Sequence, residues 1–366
     1  MLATLLASIV FSAPPMSAAQ LGSWGEETLR IVHERFTIPG SPFLAESITL
    51  GDPKQAVAFN WSVGVMLAAY NAGASFDPAN KPALRAFADS SHRYWNAAPP
   101  VAGFDVVPDA TSVDRFYDDN AWMVMALAQS SVVLDDPKYL AWAQEALKFC
   151  LSGEDDKLGG GIYWRENAKT SKNTCSNAPV AAACMSVYVK THDQALLDKA
   201  EELYAWTKSH LQDSDDHLMW DSISVSDGHI NKTKWSYNTA LMIRSAVALY
   251  EATHKSEYLH DARQMRVASL QHWLRQSDLA LKDDGPFAHL LVESWIEAEG
   301  IEPTSRSAQL AVLAGPLVYI HQNCRVQDLY GKRWEKPPAP DARRFQLIDQ
   351  ASAARAFYEV ALFLKG

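Results

Sequence analysis

Asn60-Trp61, Asn120-Ala121, Asn177-Ala178 and Asn238-Thr239 each stand at the head of an apolar run, and they recur at intervals of 60, 57 and 61 residues. Nineteen or twenty residues behind three of them, Tyr139, Leu197 and Tyr258 start a second run at helical spacing. The first run of a unit is rich in small residues, as in Ala121-Trp122-Met123-Val124-Met125-Ala126 and Ala178-Pro179-Val180-Ala181-Ala182-Ala183. The second carries a charged face, as in Leu197-Asp198-Lys199-Ala200-Glu201-Glu202. A helix that is apolar all round lies inside and an amphipathic one outside, so the repeating unit is a hairpin of an inner and an outer helix.

Working outward from these units, about twelve helices are expected, beginning near Trp24, Ala58, Pro82, Asp118, Pro137, Thr174, Gln194, Ser236, Ser256, Ala288, Ser305 and Asp349. Breakers such as Asp135-Asp136-Pro137, Gly153 and Gly285-Pro286 separate them, and strand-like alternation is scarce. The expected fold class is all-α, an (α/α)6 toroid of about six helical hairpins; an open solenoid of the same hairpins is the alternative. The closed ring is preferred because six pairs use nearly the whole chain and neither end offers a polar capping repeat. In such a ring the inner-helix N-termini converge on one end of the cavity, where the four asparagines would cap the helices and face the opening.

The 366 residues are 48% hydrophobic and 21% charged, enough for a large core and unlike a disordered chain. Lys plus Arg number 33 against 43 Asp plus Glu, a net charge of −10 that argues against nucleic acid and anionic polymers as ligands. The 12 tryptophans exceed what packing needs and suit stacking against sugar rings. Leu2 to Phe11 is apolar but too short to span a bilayer of roughly 30 Å. Followed by Ala13-Pro14-Pro15 and Ser17-Ala18-Ala19, it reads as an export signal over residues 1–19, ahead of a single domain over 20–366 that is secreted or periplasmic, without a membrane span and monomeric. Cys150, Cys175, Cys184 and Cys324 are scattered and read as buried thiols, with one disulfide left open by export; no metal site and no cofactor are expected. The sequons at Asn60 and Asn231 matter only in a eukaryotic host.

Chemistry is expected in the loops entering inner helices. Of five adjacent aspartate pairs, those at 135/136, 155/156, 215/216 and 283/284 sit in polar turns and read as solvated turns or caps. Asp118-Asp119 differs, because Phe116-Tyr117 and Asn120-Ala121-Trp122 place it among aromatics at an inner-helix mouth. Neighbouring carboxyls can lie about 5 Å apart, the spacing of retaining glycosidases, where one attacks the sugar and the other protonates the leaving oxygen. An apolar setting keeps one of them protonated near neutral pH.

Tyr117-Asp118-Asp119-Asn120-Ala121-Trp122, Gly159-Gly160-Gly161-Ile162-Tyr163-Trp164, Lys172-Asn173-Thr174-Cys175-Ser176-Asn177-Ala178 and Tyr237-Asn238 resemble, in order and spacing, the motifs of glycoside hydrolase family 76. That family comprises endo-α-1,6-mannanases and related fungal cell-wall enzymes on an (α/α)6 barrel, and the resemblance covers roughly residues 55–325. It implies Asp118 as nucleophile and Asp119 as general acid/base of a retaining mechanism on an oligo- or polysaccharide. Tyr117, Trp164, Asn173, Asn177, Trp235, Tyr237 and Asn238 are the candidate sugar contacts, with the triple glycine approaching the ligand and delivering Trp164 to the rim; Trp122 is a further candidate platform. The chain departs from the family pattern at Asn120-Ala121-Trp122-Met123, where Gln-Ala-Trp-Trp is usual, and at Tyr237-Asn238-Thr239-Ala240, where Tyr-Asn-Gln-Gly is usual. The alternatives are a sugar epimerase or isomerase on the same toroid, disfavoured because no histidine is placed at an inner-helix start, and a catalytically silent glycan-binding protein.

Overall fold

The computed structural model describes residues 16–366. The apolar stretch to Pro15 lies outside the described residues, while Ala18 and Ala19 open the first helix, with Ser17 accepting a hydrogen bond from Gln20 N. Twelve helices make up the architecture of the described residues: α1 (Ala18–Phe36), α2 (Asn60–Phe76), α3 (Lys81–Ser91), α4 (Tyr117–Val133), α5 (Pro137–Leu151), α6 (Thr174–Thr191), α7 (Gln194–Leu211), α8 (Ser236–Thr253), α9 (Ser256–Trp273), α10 (Gly285–Ile301), α11 (306–323) and α12 (Leu347–Lys365). In α11 a π-helical turn at Leu310–Ala314 interrupts the ladder ahead of Pro316, which has no N–H to donate.

The ring closes. Each even-numbered helix packs on the next, from α2 through α4, α6, α8 and α10 to α12, and α12 packs back on α2. The odd-numbered helices form the outer layer, so the pairing is offset by one from simple chain order: α1 is the outer partner of α12. Strand Ser47–Thr49 pairs antiparallel with Arg344–Gln346 beside that junction and fastens the two ends of the described chain together. The small-residue helices are nearly buried throughout, as α2 and α6 show, whereas α7 buries one face only, made of Leu197, Ala200, Leu203, Tyr204, Trp206, Thr207 and Leu211.

Two hydrogen-bond devices recur around the mouth where the inner helices begin. The first backbone N–H of an inner helix donates into the loop that enters the next one: Asn60 to Val106, Thr174 to Asp221, Gly285 to Lys332 and Leu347 to Glu46, at 2.7–2.9 Å. Ser236 N does the same to the Asp283 carboxylate at 2.9 Å. The fourth residue clamps its own entry loop. Asn120 pairs with both backbone groups of Phe104 (2.6 and 2.9 Å), Asn177 with those of Ile162 (2.6 and 2.9 Å) and Gln350 with those of Tyr330 (2.8 and 2.9 Å).

The four asparagines are therefore not equivalent. Asn60 is first in its helix, Asn120 and Asn177 are fourth and Asn238 is third, and all four are fully buried. None faces the opening. Burial also puts the Asn60 sequon out of reach in the folded chain. Asn177→Ala is expected to destabilise the fold by about 2 kcal/mol or more, because it strands the buried N–H and C=O of Ile162. Denaturant unfolding checks this, and an unchanged midpoint would remove the clamp's importance.

Candidate active site

The mouth is floored by aromatic rings from three inner helices and the loop before one of them. Phe287 on α10 stacks on Tyr237 of α8 (4.5 Å, 14°) and on Trp61 of α2 (5.8 Å, 20°), with Trp235 tilted against it at 5.4 Å. All four are partly exposed. The floor lies at the convergent N-terminal ends of the helices, where the backbone dipoles favour negative charge.

Asp118 and Asp119 are the second and third residues of α4 and are partly accessible on the wall of this mouth. Their surroundings differ. Asp118 accepts the Asp119 backbone N–H on Oδ1 and the Trp164 indole N–H on Oδ2, both at 3.0 Å, and the Cys175 thiol lies between its carboxyl and the Tyr237 hydroxyl. Burial pushes Asp118 up to about 6, with those hydrogen bonds pulling against it. Asp119 is raised well above the usual carboxylate range by burial and then by the negative charges of Asp118, Glu46 and Asp114, with no compensating donor. The same two residue types on adjacent positions are thus separated by environment into a group that ionises first and one that keeps its proton.

Other sequence candidates are redistributed. Trp164 reaches the rim, 43% exposed, and Trp235 and Tyr237 belong to the floor. Asn173 is at the edge, its Oδ1 taken by Ser171 Oγ at 2.7 Å and its Nδ2 without a protein acceptor among the described residues. Tyr117 points away: it is 1% exposed, stacked on Phe149 at 4.9 Å and packed under Gly153, because the first residue of α4 faces the outer layer. Asn177 has no exposed surface and spends both amide hydrogens on Ile162 O and Asn173 O. Asn238 is sealed beneath the floor with neither amide atom exposed. Trp122, one turn below Asp118, lies inside the ring and lines a cavity of about 490 Å³ at the opposite end, beside Arg244, Glu293 and Arg355.

The triple glycine works differently from the ligand approach expected of it. Gly159, Gly160 and Gly161 all have positive φ, and a Cβ at Gly161 would lie 2.6 Å from the Trp206 ring, so the turn packs on an outer helix while still delivering Trp164. Lys172, fully buried, stitches the loop by donating to Asp155 Oδ1, Lys157 O and Gly160 O at 2.6–2.7 Å. The pair at 283/284 is also no solvated turn. Both residues are buried at the entry to α10, Asp283 holding Ser236 N and Asp284 pairing with Lys332 (2.9 Å) and Arg333 (3.3 Å).

Several residues at or beside the mouth escaped sequence reading. Asp221 lies near Cys175 and Tyr237, its carboxyl raised by burial while Ser222 Oγ and Asn231 Nδ2 donate to it. Glu46 holds Phe59 N at 2.8 Å and Ser62 Oγ at 3.1 Å and is likewise raised by burial. Asp349, third in α12, is pushed to about 7 by burial and the charge of Asp284. The position of Asp349, matching that of Asp119 in α4, was the available signal. His289, in the second turn of α10, is an inner-helix histidine, against the expectation of none at an inner-helix start; it has no exposed surface and is held well below its ordinary pKa by burial. All four cysteines are free and buried. No group of three or more His, Cys, Asp or Glu among the described residues is placed to hold a metal ion, and no described helix is long and apolar enough to cross a membrane.

A closed ring of six helical hairpins with two unlike carboxyls above an aromatic floor defines the class of toroidal glycoside hydrolases. Within it, the chain belongs to glycosyl hydrolase family 76, whose sequence profile matches residues 51–362. A family 76 α-mannanase from Bacteroides thetaiotaomicron is 31% identical, with a TM-score of 0.88 over 93% of this chain and 95% of its own. A mannan endo-1,6-alpha-mannosidase of Candida glabrata is 27% identical over 164 residues, 41% of this chain. The match spans 37% of that relative's length. An inactive variant of a Salegentibacter α-1,6-mannanase, with two adjacent aspartates replaced by asparagine and α-1,6-mannotriose bound, shares the fold at 21% identity and a TM-score of 0.78, over 94% of this chain and 99% of its own.

Proposed function

We propose that the protein is an exported, retaining glycoside hydrolase that cleaves α-mannosidic glycans, above all α-1,6-linked ones. The observation that carries this is the asymmetry of the adjacent pair: Asp118 with donors in Asp119 N, the Trp164 indole and the Cys175 thiol, Asp119 with none and with three negative neighbours. Family membership and the α-mannanase relative support the substrate class.

In the first step an Asp118 oxygen attacks the anomeric carbon as the glycosidic bond breaks, and Asp119 gives its proton to the leaving oxygen. In the second, Asp119, now a carboxylate, takes a proton from water as that water attacks the same carbon and frees Asp118. Two inversions give net retention. Tyr237, Phe287, Trp61 and Trp235 offer ring faces to the sugar, and Asp221 and Asn173 offer polar groups to its hydroxyls.

Reducing-end release from linear α-1,6-mannan is the test. Release from this substrate is expected, and a folded protein that binds mannan without cutting it would replace hydrolysis with recognition. The pH profile follows from the same pair. Asp118 must be ionised, so activity falls as pH drops through about 6, and Asp119 must be protonated, so activity falls again at higher pH as it loses its proton. A bell in kcat/KM against pH is expected; a profile that keeps rising below pH 5 contradicts the assignment.

A further inference from the structure

The strand Tyr163–Arg165 and the segment entering α4 are zipped side by side. Phe116 bridges to Arg165 in the backbone, and Glu166 N donates to Arg115 O at 3.1 Å. Two crossed ion pairs reinforce the seam. Arg165 meets Asp114 at 2.7 Å, and Arg115 meets Glu166 through paired bonds of 2.8 and 2.9 Å. Arg115 is wholly buried, and its remaining hydrogen bonds go to the carbonyls of Asn96 and Ala98 at 3.2 and 3.0 Å. A bidentate guanidinium–carboxylate pair with its other donors satisfied fixes backbone as well as charge. Above the seam, the Arg165 guanidinium covers the Phe116 ring at 4.9 Å and Phe116 meets Trp164 edge-on at 5.1 Å. The indole is therefore braced on one side while its N–H reaches Asp118 Oδ2.

We propose that Trp164 is a positioning residue for the nucleophile: its indole N–H fixes Asp118 Oδ2, and the crossed pairs Asp114–Arg165 and Arg115–Glu166 hold the indole in place. The proposal rests on the reading of Asp118 as nucleophile. It gives Trp164 a role distinct from the stacking platform that its exposed ring suggests. With Asp119 N on Oδ1 and Trp164 on Oδ2, both oxygens of Asp118 are oriented before a sugar arrives, and the ionised form is favoured. The other titratable groups facing Asp118 are Asp119 on its own helix, Cys150 on α5, Cys175 on α6 and Tyr237 on α8, with Asp221 beyond them; substitution of Trp164 alters none of these residues.

The experiment compares Trp164→Phe, Trp164→Ala and Glu166→Gln with the wild type, each checked for folding by circular dichroism. Trp164→Phe keeps a flat ring and loses only the donor. It is expected to lower kcat on linear α-1,6-mannan by about 10- to 100-fold, leave KM little changed, and move the acid limb of the pH profile to higher pH. Glu166→Gln is expected to move kcat and the limb in the same direction by less. If Trp164→Phe matches the wild type while Trp164→Ala raises KM, the ring is only a platform and the proposal falls. Carbon-13 carboxyl NMR of Asp118 gives a readout independent of turnover. Its titration should move to higher pH in Trp164→Phe, and an unmoved titration overturns the proposal. If the Asp118 titration shifts in Trp164→Phe but the folded wild type cuts no mannan, the positioning role stands and the proposed function is overturned.

Discussion

Asp118→Ala is expected to lower mannan cleavage by about 10⁴-fold or more, the scale on which removal of a covalent nucleophile acts. The loss should extend to activated aryl mannosides, because a good leaving group does not replace the attacking oxygen. Asp119→Ala should behave differently. General acid assistance is worth about 10²–10⁴-fold, and it is needed only when the leaving oxygen is basic. The first step on an aryl mannoside should then survive in Asp119→Ala, with the covalent intermediate accumulating because water is no longer deprotonated. Pre-steady-state bursts on aryl mannosides, beside steady-state rates on mannan, separate the two behaviours. Equal losses on both substrates for both variants would remove the division of labour between the two carboxyls.

The second large effect concerns the fold. Arg266 on α9 and Glu299 near the end of α10 form an ion pair with side chains 1% exposed on each side. Glu299 also accepts Thr304 N (2.7 Å), Thr304 Oγ1 (2.8 Å) and Gln309 Nε2 (3.1 Å), so it anchors the turn into α11. Glu299→Ala leaves a buried guanidinium without its partner, and a cost of about 3–5 kcal/mol is expected. That is a large fraction of the ~5–15 kcal/mol typical of a whole domain. Replacing both residues together, Arg266→Met with Glu299→Leu, removes the charge along with its partner and should cost far less. Denaturant midpoints of the single and double variants decide it. A double variant as unstable as Glu299→Ala would mean that the carboxylate matters for the α11 turn rather than for the buried charge.

The repeat was legible because it rests on periodic burial. An inner helix such as α6 must be small and apolar on every side, an outer one such as α7 on a single side, and both patterns are written locally. Helix beginnings were read to within a few residues at most positions, with α1 starting six residues earlier than Trp24 and α10 three earlier than Ala288. The offset pairing of α1 with α12 depends on contacts between the two ends of the chain, which no local pattern encodes.

At the site, Asp118, Asp119 and Trp164 carry signals of type and spacing, and the structure brings them together. The asparagines show where such signals stop. An amide near a helix start can cap it, face a ligand or clamp a loop, and only the position within the first turn separates these roles. Asn120 and Asn177, in fourth position, are clamps. Tyr117 fails for a related reason, since a shift of one residue turns a side chain by about 100° around a helix. Glu46, Asp221 and Phe287 come from loops and helices whose surrounding sequence has no distinctive spacing, and they meet only because the ring closes.

The central claim is most directly tested by proton NMR of the anomeric signals during the first minutes of linear α-1,6-mannan digestion, before mutarotation mixes the products. Retaining cleavage by the Asp118–Asp119 pair gives the α-anomer of the new reducing end first, with the β-anomer growing in later. A β-anomer that appears first would show inversion and displace Asp118 from its role as nucleophile, and no new reducing end from the folded protein would contradict hydrolysis of this glycan altogether.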